Sequence, residues 1–255
     1  MTTAALLEKE LGSSSFGKLE AMLSSVCKDL KVKVRVQGRT LGGWVQVEVT
    51  GEDESVALKL LDREVGLAPI RAERVARFSA LRGKIVDSDR STTALSVDVG
   101  VFAPAVYYAV VPLERLQAQL ADGKNLPLQR LVKLFCLYEF MPLNVKITSD
   151  LNVKKEFWEA ELSEMQLSVF SDWLSSNLDR LFVLNASRRE VEEVVERARH
   201  SRDIVRIESL GLLEYALVCK LGTDAVGLVP KLGPYLRSAS LAPFAPRRIK
   251  EELKL

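Results

Sequence analysis

Gly83-Lys-Ile-Val-Asp-Ser-Asp89, Ala94-Leu-Ser-Val-Asp-Val-Gly-Val101 and Tyr107-Tyr-Ala-Val-Val-Pro-Leu113 follow one another closely. A later stretch repeats their plan: Arg202-Asp-Ile-Val-Arg-Ile-Glu208, Glu214-Tyr-Ala-Leu-Val-Cys-Lys-Leu-Gly-Thr223 and Ala225-Val-Gly-Leu-Val-Pro-Lys-Leu232. Short apolar runs bounded by turn residues read as strands. Each copy therefore predicts an entry strand, a second strand ending at a glycine (Gly100, Gly222) and a third ending in Val-Pro. Two three-strand meanders are the expectation, and internal repeats of this kind organise the rest of the chain.

Upstream of the first meander the hydrophobic period changes several times. Thr3 to Leu7 is an apolar run that suits a strand or the start of a helix. Phe16, Leu19, Met22, Leu23, Val26 and Leu30 recur three and four apart, which predicts an amphipathic helix started by Ser13 to Ser15. Val32, Val34 and Val36 alternate with Lys31, Lys33 and Arg35, which predicts a strand with one dry and one basic face. Trp44, Val45, Val47 and Val49 continue the extended pattern past Gly42-Gly43. Thr50 and Asp53 are placed to cap a second helix ending near Gly66, and Ala68 to Val75 is extended again. Strand-helix-strand-strand-helix-strand is the split βαβ order of a ferredoxin-like unit.

Between the meanders, Pro112 and Pro127 stand where helices start. The second of these helices is apolar nearly all round and is expected to be buried as a hub. Val145 and Ile147, then Phe157 to Glu161, read as strands. Ser163 with Gln166 and Ser187 with Glu190 have the spacing of capping boxes, with a strand at Leu181–Leu184 between them. The fold class is thus α+β in four stretches: a ferredoxin-like unit over 1–80, an OB-like meander with helices over 81–142, a second α+β unit over 143–200, and a second OB-like meander with a C-terminal arm over 201–255.

The progression through Val-Asp-Val-Gly-Val to a strand ending in Val-Pro resembles the first three strands of OB-fold RNA-binding domains of the ribosomal-protein type. After the third strand both copies depart from that pattern, so the resemblance implies incomplete or decorated barrels. Through Val110–Val145 and Lys220-Leu-Gly-Thr-Asp-Ala225, the chain also resembles an uncharacterised archaeal family known as a domain of unknown function. That resemblance implies a lineage and no activity.

The 255 residues carry 36 Lys+Arg against 34 Asp+Glu, so the chain is neither a polybasic nor an acidic tail. No apolar run reaches the roughly 18–20 residues of a bilayer span, and a cytoplasmic protein with no membrane partner is expected. Cys27, Cys136 and Cys219 have no metal spacing and read as core. The lone His200 sits among arginines at a helix end, where a polar cap explains it. No phosphate-cradling glycine loop is present, so no catalytic residue, metal or cofactor is assigned and the chain is read as a non-enzyme. Asp87 and Asp89 leave two readings open: a solvated loop, or an oxygen-ligand or acid-base pair.

The remaining functional signal is local basic clustering, because nucleic acid is gripped first through its phosphates. Lys31, Lys33, Arg35 and Arg39 lie along one strand, with Trp44 just beyond as a base-stacking platform or as hairpin packing. Tyr107 or Tyr108 must point outward by alternation, to stack on a base or to pack. Arg197, Arg199, Arg202 and Arg206 precede the second meander, and Arg247, Arg248 and Lys250 lie near the C-terminus. The expectation is a non-catalytic factor that binds RNA or a ribonucleoprotein in translation or transcription. The alternative is a protein-interaction or assembly module docking through the arm Leu241-Ala-Pro-Phe-Ala-Pro-Arg-Arg-Ile249.

Overall fold

Alternation builds the first sheet. The computed structural model describes residues 1–9 and 16–254, so the helix start expected at Ser13 to Ser15 lies outside the described residues. Strand β1 (Thr2–Ala5), helix α1 (Phe16–Val26), strands β2 (Val32–Arg39) and β3 (Val45–Gly51) and helix α2 (Glu54–Glu64) form an N-terminal unit. Its antiparallel sheet has the order β1-β3-β2. Val34, Val45, Val47 and Val49 turn inward onto Leu19 and Leu23 of α1 and Ala57 and Leu61 of α2. Asp53 precedes α2 without capping it, because its carboxylate accepts instead from the Lys31 amide at 2.8 Å.

The fourth strand expected over Ala68–Val75 does not complete this sheet. Leu67 meets Leu6 in a single antiparallel bridge, and the chain then leaves. Strand β4 (Ile70–Arg71) pairs in parallel with the next unit.

That unit is a closed barrel of β5 (Ala80–Val86), β6 (Ala94–Ala103), β7 (Tyr107–Pro112), β8 (Pro142–Ile147) and β9 (Phe157–Leu162), with helices α3 (Leu113–Leu120) and α4 (Leu128–Phe135) between β7 and β8. Pairing runs β5-β6-β7-β9-β8 and returns to β5, antiparallel everywhere except β7 with β9. The first meander is therefore present, and its barrel is complete. The two strands that close it were expected in a separate unit over 143–200. Gly100 (φ +79°) lies within β6 at a register shift, where a side chain would run into Ala68 and Leu7.

Helix α5 (Glu164–Ser176) leads to β10 (Arg180–Leu184), α6 (Arg188–Arg197), β11 (Ile204–Ser209), β12 (Glu214–Cys219), α7 (Ala225–Leu232), β13 (Ser240–Phe244) and α8 (Pro246–Leu253). The sheet order is β11-β12-β10-β13, all antiparallel. From β10 to β13 this is strand-helix-strand-strand-helix-strand with the fourth strand in place. The second meander expected over 201–255 is accordingly not formed. Its third strand is α7, nucleated where the Asp224 side chain accepts from the amides of Val226 and Gly227 at 3.0 and 3.1 Å. Ala225, Leu228 and Leu232 bury one helical face.

Both faces of the C-terminal sheet are covered. Leu181, Val183, Leu217 and Cys219 pack with Val191 and Val195 of α6 and Leu228 of α7. Phe182 and Phe244 join Phe135 of α4 and Phe170 and Trp173 of α5 in an aromatic cluster, with ring centroids 5.2–6.5 Å apart. Helix α4 is thus the expected hub between the barrel and the last unit. Ser187 and Glu190 form a full capping box, whereas Gln166 turns its oxygen to Asn144 rather than back to Ser163.

Candidate nucleic-acid interface

The open side of the N-terminal sheet is polar because β2 and β3 alternate. Cross-strand partners project to the same side. Thr3, Glu48 and Arg35 therefore stand in one row, and Lys33 and Thr50 in the next. Lys33, Arg35 and Gln37 are exposed, and among the described residues no helix lies over this side of the unit's core. Gln37 donates to Glu48 at 2.9 Å. Lys33 and Arg35 make no ion pair with any described residue, whereas Lys31 is held by Glu52 at 2.8 Å.

The register shift between Val36 and Gly38 separates Arg39 from this row. A bulge turns the side chains beyond it, so Arg39 pairs opposite Val45, a helix-side residue, and its guanidinium sits 5.9 Å from the Phe16 ring at the start of α1. Of the three cations expected on this face, Lys31 is held by Glu52, so Lys33 and Arg35 remain, and Arg39, expected nearby, is turned away.

Of the two readings of Trp44, packing is the one the structure shows, and of Tyr107 and Tyr108 one points outward, as alternation requires. Trp44 is fully buried. Its indole N–H donates to Asp98 at 3.1 Å, and the Lys9 ammonium lies 4.6 Å from the ring centroid. Lys9 also pairs with Asp98 at 2.6 Å, and Asp98 accepts from the Gly100 amide at 3.0 Å. Trp44 therefore locks the N-terminal unit to the barrel. Tyr107 points into the barrel against Trp158, with ring centroids 5.7 Å apart. Tyr108 is the outward member of the pair, half-buried, and burial first, then Asp98, Asp87 and Glu156, push its hydroxyl pKa up. That acidic surround repels phosphate.

The arginines before β11 lie on the other flanking unit. Arg197 faces Tyr235 at 6.0 Å and Arg206 is paired with Glu208 at 2.6 Å. Arg199 and Arg202 are exposed at the end of α6 and make no ion pair with any described residue. His200 is joined to Asp203 at 2.6 Å. Asp87 and Asp89 occupy the β5–β6 loop, where Asp87 faces Arg90 at 3.2 Å, so they share no strand face. Among the described residues no group of His, Cys, Asp or Glu is arranged to hold a metal. The three cysteines are buried, and burial pushes each thiol pKa up. The segment expected as a docking arm is β13 and α8, with Phe244 wholly inside the aromatic cluster.

What the sequence reading missed is a second buried junction. The Lys84 ammonium of β5 is held by Glu8 of the N-terminal unit and by Glu214 of β12 at 2.7 Å. All three side chains are buried, and one oxygen of each carboxylate has no hydrogen-bond partner. Burial and Glu8 push the Glu214 carboxyl up to about 7 against the pull of Lys84. Burial lowers the Lys84 ammonium pKa, and the two carboxylates outweigh it and raise it. The signal was available: each of Lys84, Asp98 and Glu214 is a charge inside an apolar strand, which is costly without a partner. These groups hold the three units together.

No helix among the described residues is long and apolar enough to cross a membrane. No curated protein matches the chain. Residues 8–69 match the family model described as the DUF2110 N-terminal domain, and residues 178–242 match the DUF2110 C-terminal domain. The two matches fall on the flanking units, on either side of the barrel in sequence.

Proposed function

We propose that this chain, which carries both DUF2110 domains, is a non-catalytic factor that binds RNA or a ribonucleoprotein. The observation that carries the reading is the uncovered N-terminal sheet face, where Lys33 and Arg35 stand exposed without an ion-pair partner among the described residues. The barrel supports it by analogy, since a five-strand closed order with one parallel pair fits the OB plan, which often hosts oligonucleotides. The strand-helix-strand-strand-helix order of the N-terminal unit likewise fits a ferredoxin-like plan whose open sheet receives RNA. With Trp44 and Tyr107 buried, contact is to phosphate and sugar rather than by base stacking. Affinity is then salt-dependent and nearly indifferent to sequence.

Titration of the full chain with a single-stranded RNA at several salt concentrations tests this. Binding should weaken steeply with salt, and K33Q/R35Q should lower the magnitude of the log–log slope by about 1.4, or about 0.7 for each phosphate that is no longer neutralised. Absence of binding at low salt, or a slope that the double variant leaves unchanged, overturns the reading. A protein partner that survives both nuclease and high salt would identify an assembly module instead.

A further inference from the structure

We propose that the groove between α4, the start of α7 and the β13–α8 turn binds a phosphoryl group, that of a nucleotide either free or at the end of an RNA chain. Only the second source rests on the RNA reading above. The groove floor is apolar, formed by Leu134, Pro243 and Ile249, and its polar lining is Arg130, Lys133, Arg248 and Tyr138, with no carboxylate among the described residues.

The fold assembles these cations from distant segments. Helix α4 buries Leu128, Leu131, Val132, Leu134 and Phe135 and leaves Lys133 exposed and Arg130 half-exposed. Helix α8 buries Pro246, Ile249 and Leu253 and so leaves Arg247 and Arg248 outside on its first turn. Glu252 engages Arg130 in a two-point pair and neutralises it. Lys133 and Arg248 make no ion pair with any described residue, so two uncompensated cations face one concave surface. A planar guanidinium beside an ammonium suits phosphate oxygens.

Two further features agree in sign. No side chain caps α8, so the amides of Arg247 and Arg248 on its first turn, where Pro246 has none, add positive potential at the groove-lining start of the helix. Tyr138 is half-buried, and burial first, then Cys136 and Asp89, push its hydroxyl pKa up, so it remains a neutral donor at pH 7. Asp89, in the β5–β6 loop, does not line the groove.

Calorimetric titration of the full chain at fixed ionic strength, with inorganic phosphate, adenosine monophosphate and an RNA carrying either a 5′-phosphate or a 5′-hydroxyl, tests the site. Saturable phosphate binding is expected, weakened about tenfold or more in K133Q/R248Q, as removal of two charge-assisted hydrogen-bonding partners requires. A preference for the 5′-phosphorylated RNA supports the chain end as the source. Binding of the monophosphate with no such preference supports a free nucleotide. K33Q/R35Q should leave the binding of inorganic phosphate and adenosine monophosphate intact, which separates failure of the sheet-face reading from failure of this one. No saturation by any phosphate probe up to about 10 mM, or equal affinity in K133Q/R248Q with unchanged circular dichroism, overturns the proposal.

Discussion

The two flanking units share one connectivity and use it in opposite ways. In the N-terminal unit the fourth strand is reduced to the Leu6–Leu67 bridge, and one sheet face stays open. In the C-terminal unit all four strands are present, with α6 and α7 on one face and the aromatic cluster on the other. The difference lies in the residues between the hydrophobic ones. Val32-Lys-Val-Arg-Val36 alternates, so half its side chains need water. Arg180 to Leu184 and Glu214 to Cys219 are buried at every position, so those strands need cover on both sides. Topology therefore does not decide which unit presents a surface; the composition of the second face does.

The sharpest way to break the comparison is to damage the doubly covered sheet. Phe244→Ala removes a ring that touches Phe135, Trp173 and Phe182, and unfolding in urea should show a loss of about 4 kcal/mol. A loss under about 1 kcal/mol would mean that the cluster relaxes and that cover on this face is not what holds the sheet. Next comes the junction that binds both units to the barrel. Lys84→Met leaves Glu8 and Glu214 buried without a cation, and should cost about 3 to 4 kcal/mol at neutral pH, with partial recovery on acidification as the raised Glu214 carboxyl takes a proton.

Much of this arrangement was legible in the sequence. The helix periods, the first meander and the buried character of α4 follow from apolar spacing. The closing strands of the barrel were visible too, but β9 pairs in parallel with β7 across two intervening helices and β8, and periodicity carries no information about partners. The second meander misled because Ala225-Val-Gly-Leu-Val-Pro reads as a strand until Asp224 is recognised as a cap. At the candidate interface, period two placed Lys33 and Arg35 correctly. Arg39 was lost to a bulge, and Trp44 and Tyr107 to burial, none of which alternation alone reveals.

A smaller effect separates the junction from the sheets. The Glu214 carboxyl ordinarily titrates at 4.5 and is pushed up to about 7 in the folded chain. A carboxyl raised on folding adds stability below its unfolded value, and that contribution is lost as pH rises through the folded value. Stability should therefore decline by on the order of 2 to 3 kcal/mol between pH 4.5 and 7, measured by urea midpoints at each pH. Glu214→Gln should flatten this slope. Lys84 acts in another window, since its raised pKa affects stability only in the alkaline range above its ordinary 10.5. An unchanged slope in E214Q would assign the acid response to other carboxyls.

The smallest expected effect concerns the open face. Lys33 and Arg35 make no ion pair among the described residues and project from β2, which lies at the edge of its sheet. Their replacement by Gln should change unfolding free energy by less than about 0.5 kcal/mol, as for ordinary surface positions. A face maintained for packing would show the reverse: a measurable loss of stability whatever happens to RNA affinity. If K33Q/R35Q unfolds like the parent and binds RNA less well, these cations are present for something outside the molecule. If it destabilises the chain by a kilocalorie or more, the face is covered by a part of the fold, and the contrast between the two units disappears.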